Sequence, residues 1–353
     1  MKIPNDIPWK STGKTLGKGG QADVHLVVKR DEETLCNPAK YALKALRKVD
    51  NLQARTRFTR EIEIVKGLDH PSIVKVIDSS SENDEFQFYV MEYHEDARSL
   101  DKVIFSKSNP FHGDILLSLG LFEKIVSVID FCSERPTPIT HRDISPTNIL
   151  LLKDMSIKLI DFGICQVDDG EMITLTDEGF GTRNYTSPEC ESGTEGLVGV
   201  KSDIYSASKV LWSAITSQHA FAFQEPVFRN KSMPAVFPNN HDTWHLSHIF
   251  KETIRHNPED RVSNAKEVKA QIARVRSVVK RGFPPLELIG SYCPSCGWYG
   301  YGVSVEEIEE EHRMPGHPNS DGVIPYKCAQ CGFIFARDVT ILRNRGEDMS
   351  RLR

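Results

Sequence analysis

The feature that most narrows what this chain can fold into is an ordered pair of polar motifs set around two short apolar strands. His141-Arg142-Asp143-Ile144-Ser145-Pro146-Thr147-Asn148 runs directly into an apolar stretch at 149–152. A second stretch follows at 157–160, and thirteen residues after Asn148 comes Asp161-Phe162-Gly163. Either motif alone could be a chance turn. Both together, in this order and at this spacing, leave chance a poor explanation. Asp143, Asn148 and Asp161 are therefore the first candidate site residues.

The surrounding chain can support a folded site. It has 353 residues, enough for two or three domains at roughly 100–200 residues each. Hydrophobic residues make up 39% and charged residues 26%, which excludes global disorder. Lys and Arg total 44 against 49 Asp and Glu, a formal net charge of −5, so a generally basic surface for nucleic acid is excluded. Apolar runs such as 115–122 fall short of the ~20 residues that a membrane helix needs. Residues 1–10 contain Pro4 and Pro8 and no apolar core, which argues against a signal peptide. The expectation is a cytoplasmic protein without a membrane segment.

Hydrophobic periodicity divides the chain. A glycine-rich stretch at 15–20 precedes an alternating strand at 22–29 and another at 41–46. Residues 52–68 read as an amphipathic helix carrying Phe58, Ile62 and Val65, closed by Pro71, and strands are expected at 73–77 and 86–92. Beyond residue 98 the pattern is helical, over 115–131, 201–216, 241–254 and 264–278. A long irregular stretch spans 161–189, and such loops inside a compact domain usually carry function. The first segment thus reads as a small sheet carrying one helix, and the region after it as mostly helical.

Further motifs upstream complete a set suited to nucleotide chemistry. Gly17-Lys18-Gly19-Gly20-Gln21-Ala22-Asp23-Val24 has glycines that let backbone N–H groups approach phosphate closely. Lys44 sits in Tyr41-Ala42-Leu43-Lys44, on an apolar strand where a charge must be used. Glu61 lies in the helix that follows, and Met91-Glu92-Tyr93 ends the last small-lobe strand. Taken in order, these motifs resemble the eukaryotic-type (Hanks-type) serine/threonine protein kinase family over roughly the first three-quarters of the chain.

The resemblance implies an α+β, bilobal fold, with a small β-rich lobe over about 9–92 and a large α-helical lobe over about 93–280. It also implies ATP and Mg²⁺ (or Mn²⁺) as cofactors and protein serine/threonine hydroxyls as acceptors. It implies an ATP site of Gly17, Lys18, Gly19, Gly20, Val24, Ala42, Lys44, Met91, Glu92 and Tyr93. Glu61 would pair with Lys44, Asp143 would orient and deprotonate the acceptor, and Asn148 and Asp161 would hold the metal. Thr182 would contact the catalytic aspartate and favours Ser/Thr over Tyr acceptors. Glu189 of Ser187-Pro188-Glu189, Asp203 and Arg261 are implied to be structural anchors, with Glu189 and Arg261 as a buried ion pair. Arg142 beside Asp143 implies ordering by loop phosphorylation, with Thr174 and Thr176 as the expected autophosphorylation sites.

Three departures from the family pattern stand out. Ala22 replaces the third glycine, Ser208 replaces a glycine, and Ser145 stands where a lysine usually neutralises the γ-phosphate. A serine brings no charge there, which implies a substitute cation, a slow enzyme or a substrate that supplies the charge. Two alternatives stay open at this level: a pseudokinase scaffold that binds nucleotide weakly, and a kinase-like phosphotransferase acting on a small molecule. Thr182 and Glu189 speak against the second.

The C-terminal region carries a separate signal. Residues 281–291 read as a linker with Pro284 and Pro285. Within 292–340, Cys293-Pro294-Ser295-Cys296 and Cys328-Ala329-Gln330-Cys331 form two C-x-x-C knuckles, each followed by glycine and separated by 31 residues, and a tail follows at 341–353. Four thiolates favour one tetrahedral Zn²⁺, with iron as the minority reading, and the module resembles a zinc ribbon. From Pro284 onward there are seven Lys/Arg against ten Asp/Glu, which argues against nucleic acid as the partner. A structural metal module that docks on the kinase or recruits a protein is expected.

Overall fold

The computed structural model describes residues 3–19, 22–47, 51–82, 84–162, 166–167, 184–192, 197–221, 231–281, 306–307, 323–327 and 334–338. The small lobe is built on β1 (Trp9–Lys18), β2 (Ala22–Lys29), β3 (Lys40–Leu46), α1 (Leu52–Lys66), β4 (Val76–Ser79) and β5 (Phe88–Glu92). The strands form one antiparallel sheet in the order β1-β2-β3-β5-β4. Asn51 caps α1 by accepting from the Ala54 amide at 3.1 Å. The helix ends at Lys66, where the Gly67 amide bonds the Ile64 carbonyl, so the stop comes before Pro71. Phe58 and Ile62 of α1 pack on Ala42, Leu46 and Tyr89 of the sheet. The strand expected at 73–77 lies later, because Ile73 makes an isolated parallel bridge to Leu159 and the ladder proper starts at Val76.

The large lobe begins with β6 (Arg98–Ser99), α2 (Leu100–Ile104), α3 (Ile115–Ser133), β7 (Ile139–Thr140), β8 (Ile149–Leu151) and β9 (Ile157–Leu159). It continues through β10 (Gln166–Val167), α4 (Pro188–Ser192), α5 (Val200–Thr216), α6 (Met233–Val236), α7 (Leu246–Thr253) and α8 (Ala265–Arg281). The buried core joins α3, α5, α7 and α8 with the β8–β9 hairpin, and Ile64, Val65, Leu68 and Ile73 of the small lobe enter the same cluster. Glu189 and Arg261 meet in this lobe as a bidentate pair, Nη1 to Oε1 at 2.6 Å and Nη2 to Oε2 at 2.8 Å. Both are nearly excluded from solvent, and the Ser202 hydroxyl also donates to Glu189.

Lys209 on α5 is fully buried. Its ammonium donates to the carbonyls of Asn184 at 2.8 Å and Phe221 at 2.9 Å and lies over the rings of Tyr205 and Phe221. Nothing in the helical periodicity singles it out, since the apolar pattern of α5 reads through it.

Three further strands, β11 (Glu306–Glu307), β12 (Val323–Lys327) and β13 (Ile334–Asp338), form an antiparallel sheet. β12 and β13 are adjacent in the chain and pair with Lys327 opposite Ile334. Cys293, Cys296, Cys328 and Cys331 lie outside the described residues. No helix among the described residues is long and apolar enough to cross a membrane.

Candidate active site

The small-lobe half of the site follows from strand register. Lys44 on β3 stands opposite Tyr89 on β5 and Val24 on β2, and Ala42 stands opposite Met91. Leu16, Val24, Ala42, Met91, Tyr93 and Ile160 belong to one apolar cluster, so the residues expected to flank a base share one environment. Leu16 and Ile160 escaped the sequence reading, although each directly precedes a motif residue, Gly17 and Asp161.

The β1–β2 turn is closed by the Gly19 amide on the Ala22 carbonyl at 2.9 Å. A Cβ at Gly19 would sit 3.3 Å from that carbonyl, so the tight turn favours glycine there. Gly20 lies outside the described residues. The side chain of Glu92 is turned away to Lys158 of the large lobe at 2.6 Å and to the Lys75 amide at 3.0 Å. Burial works against its anion, but these bonds outweigh it and hold the carboxyl below its usual range.

Lys44 bridges two carboxylates. Its Nζ lies 2.5 Å from Glu61 Oε1 and 3.0 Å from Asp161 Oδ1. Burial opposes the lysine charge, yet the carboxylates of Asp161 and Glu61 outweigh it and lift the ammonium well above its ordinary range. Glu61 is itself 4% exposed, and burial pushes its carboxyl up against the pull of Lys44. The side chain of Asp161 is 45% exposed, so the cleft side of this triad is open to solvent.

The large-lobe half is assembled by the β8–β9 hairpin and the turn before it. Pro146–Asn148 form a single 3₁₀ turn that leads into β8. The Ile160 amide bonds the Asn148 carbonyl at 2.9 Å, which sets Asn148 beside the residue preceding Asp161. Asn148 Nδ2 donates to Asp143 Oδ2 at 2.6 Å and to the Asp143 carbonyl at 2.9 Å. The Asp143 amide reaches His141 Nδ1 at 3.3 Å, and the His141 ring packs on Phe162 with centroids 4.5 Å apart. Asp143, Asn148 and Asp161 thus hang on one connected set of contacts.

Arg142 and Asp161 both have φ of +66°, a left-handed conformation that costs non-glycine residues energy and persists only when the surroundings enforce it. Part of that enforcement comes from Asp203, whose carboxylate accepts the amides of His141 at 2.8 Å and Arg142 at 2.9 Å. Ser145 is 1% exposed and its hydroxyl is engaged with Thr147 Oγ1 at 2.8 Å. Thr174, Thr176 and Thr182 lie outside the described residues.

Comparison with known proteins agrees with this geometry. The chain is 30% identical over 278 residues to the serine/threonine-protein kinase PknB of Mycolicibacterium smegmatis, covering 74% of this chain and 42% of the relative. It is 33% identical over 269 residues to the serine/threonine-protein kinase PrkC of Bacillus subtilis, covering 73% and 39%. The PknB of Mycobacterium tuberculosis matches at 29% over 288 residues, covering 77% and 43%. The chain therefore spans about two fifths of the length of these relatives. The protein kinase domain pattern matches residues 11–272, taking in the cleft and both lobes, and on that match the chain belongs to the protein kinase domain family.

Proposed function

We propose that this chain transfers the γ-phosphoryl group of ATP to serine or threonine hydroxyls of protein substrates. The observation that carries this reading is the link from Lys44 through Asp161 and Asn148 to Asp143, which brings a cation, two hard-oxygen donors and a carboxylate to one cleft. The similarity to the serine/threonine-protein kinases PknB and PrkC supports it, as does the family match. Lys44 holds the phosphates, and Glu61 fixes Lys44. Asp143, oriented by Asn148, receives the acceptor's proton. The backbone of Gly17, Lys18, Gly19 and Gly20 covers the phosphates, while Val24, Ala42, Met91 and the backbone of Glu92 and Tyr93 receive the base.

The donor set fits Mg²⁺ or Mn²⁺. Asn148 commits its Nδ2 to Asp143, so its carbonyl oxygen would be the ligating atom beside the half-exposed carboxylate of Asp161. A bound metal supplies neutralisation of phosphate charge. Thr182 selects the acceptor, and Thr174 and Thr176 are autophosphorylation sites on this reading.

One observation favours the pseudokinase reading: Ser145 is buried, carries no charge and spends its hydroxyl on Thr147. Incubating the protein with γ-labelled ATP, Mg²⁺ and a protein acceptor separates the two. Label confined to phosphoserine and phosphothreonine, and abolished by EDTA, supports the kinase. Nucleotide binding without any transfer supports the scaffold.

For the C-terminal region we infer one structural Zn²⁺ held by Cys293, Cys296, Cys328 and Cys331, in a module that engages a protein partner. Support comes from the paired C-x-x-C spacing and from the chain position of Cys328 and Cys331, between two strands that pair as neighbours. Elemental analysis of purified protein is expected to give one zinc per chain, lost in a Cys328→Ser/Cys331→Ser variant. Iron in its place, or no metal, would overturn the assignment.

A further inference from the structure

Glu61 has a second partner that the nucleotide chemistry described above does not use. Tyr89 stands directly across from Lys44 in the β3–β5 register, so both side chains rise from the same face of the sheet toward α1. Its hydroxyl donates to Glu61 Oε1 at 2.8 Å, the same oxygen that receives Lys44. Its ring lies 5.8 Å from Phe58, one turn before Glu61 on α1, and 5.7 Å from the Lys44 ammonium. Tyr89 is 2% exposed, in an apolar cluster with Ala42, Leu46, Ile62 and Met91.

We propose that Tyr89 is a positioning residue for phosphoryl transfer, holding α1 on the sheet at Phe58 and Glu61 so that Glu61 stays on Lys44. This rests on the kinase reading of the cleft and adds to it the device that fixes the ion pair.

The physical argument is one of stranding. If α1 moves off β5, the phenol loses its acceptor inside an apolar cluster, and a buried unsatisfied hydroxyl is costly. Glu61 loses at the same time a donor that stabilises its buried anion. The arrangement with Glu61 on Lys44 is therefore favoured over its alternatives before any nucleotide arrives. The phenol remains a donor throughout, since burial and the Glu61 charge push its ionisation well above the ordinary tyrosine range. Among the described residues, Lys44 on β3 and Asp161 after β9 are the other charged groups acting on Tyr89.

The test is a double-mutant cycle in the full chain, reading the KM for ATP, kcat and the affinity for Mg·ADP by titration calorimetry. Tyr89→Phe keeps the ring on Phe58 and removes only the hydroxyl. It is expected to weaken both KM and ADP affinity about fivefold, with a smaller change in kcat. In a Glu61→Ala background the same substitution is expected to do almost nothing, because the acceptor is already gone. The proposal is overturned if Tyr89→Phe matches wild type in both quantities, or if it costs the same with and without Glu61, which would make the phenol a packing element. A wild type that binds Mg·ADP but transfers no phosphate contradicts the kinase reading alone, and the calorimetric arm still decides the role of Tyr89.

Discussion

The side-chain amide of Asn148 donates to the Asp143 carboxylate across 2.6 Å and to the Asp143 backbone carbonyl across 2.9 Å. Two bonds from one amide fix both the aspartate's backbone and its rotamer. Asn148→Ala removes both and leaves the carboxylate to turn in the cleft. We expect kcat to fall about 100-fold, the scale of loss that follows a small misplacement of a reacting group. Steady-state kinetics on a variant with an unchanged unfolding midpoint checks this.

Lys44 is the only cation bonded to Glu61 among the described residues, and Glu61 is almost wholly buried. On the proposed reading Lys44→Met therefore does more than remove a phosphate contact: it leaves the buried Glu61 carboxylate without the counter-charge of Lys44. We expect a loss of about 3–5 kcal/mol in folding stability alongside the loss of activity. Chemical unfolding followed by circular dichroism reads the first effect separately from the second. Lys44→Met/Glu61→Leu/Tyr89→Phe, which removes both charges and the hydroxyl that bonds Glu61, is expected to recover most of the stability and none of the activity.

The Glu189–Arg261 pair makes the same argument far from the cleft. Both groups are buried, and the bonding is bidentate. Arg261→Ala takes both bonds of the bidentate pair from the buried Glu189 and is expected to destabilise the large lobe by about 3–5 kcal/mol. Replacing both residues with apolar ones of similar size is expected to cost less than either single change. Urea midpoints for the three variants decide it.

His141 ties folding to pH. Burial is the main cause holding its imidazole down to about 4, and its Nδ1 accepts the Asp143 amide, a bond that protonation at Nδ1 would break. Above the ordinary histidine value of ~6.5 the ring is neutral folded or unfolded, and it contributes no pH dependence. Between there and about 4 the unfolded chain takes up a proton that the folded chain refuses. Stability from this group therefore falls as pH falls, by up to ~1.4 kcal/mol per pH unit, and the slope vanishes below the folded value. His141→Asn keeps an acceptor for the amide and does not titrate. Its stability is expected to fall less steeply than wild type across that window, measured by urea unfolding at stepped pH.

Much of the cleft is legible in the sequence because its chemistry is carried by short motifs. Asp143 and Asn148 are five residues apart, and the apolar strands after Asn148 and before Asp161 are marked by their composition. The strand at 22–29 and the helices around 115–131 and 201–216 stand out for a similar reason, since each buries a regular apolar pattern. β1 does not read as a strand throughout, because Gly13 and Gly17 interrupt its alternation and its pairing with β2 shifts register twice. α2, α4 and α6 are too short to show a helical period. Tyr89 and Lys209 were missed for a deeper reason. Their partners Glu61, Asn184 and Phe221 lie far away in the chain or in loops, and only the folded register brings them together. In the sequence, a tyrosine on a strand and a lysine on a helix look ordinary.

The central claim is that Asp143 aims and deprotonates an acceptor alcohol in a cleft where Lys44 and Asp161 face the phosphates. The most direct measurement compares wild type with Asp143→Asn, each first verified to bind Mg·ADP, for transfer of label from γ-labelled ATP to a protein acceptor. The account predicts labelled serine and threonine with wild type and at least ~100-fold less with the variant. Equal labelling by both proteins, or none by a wild type that binds Mg·ADP, would contradict it.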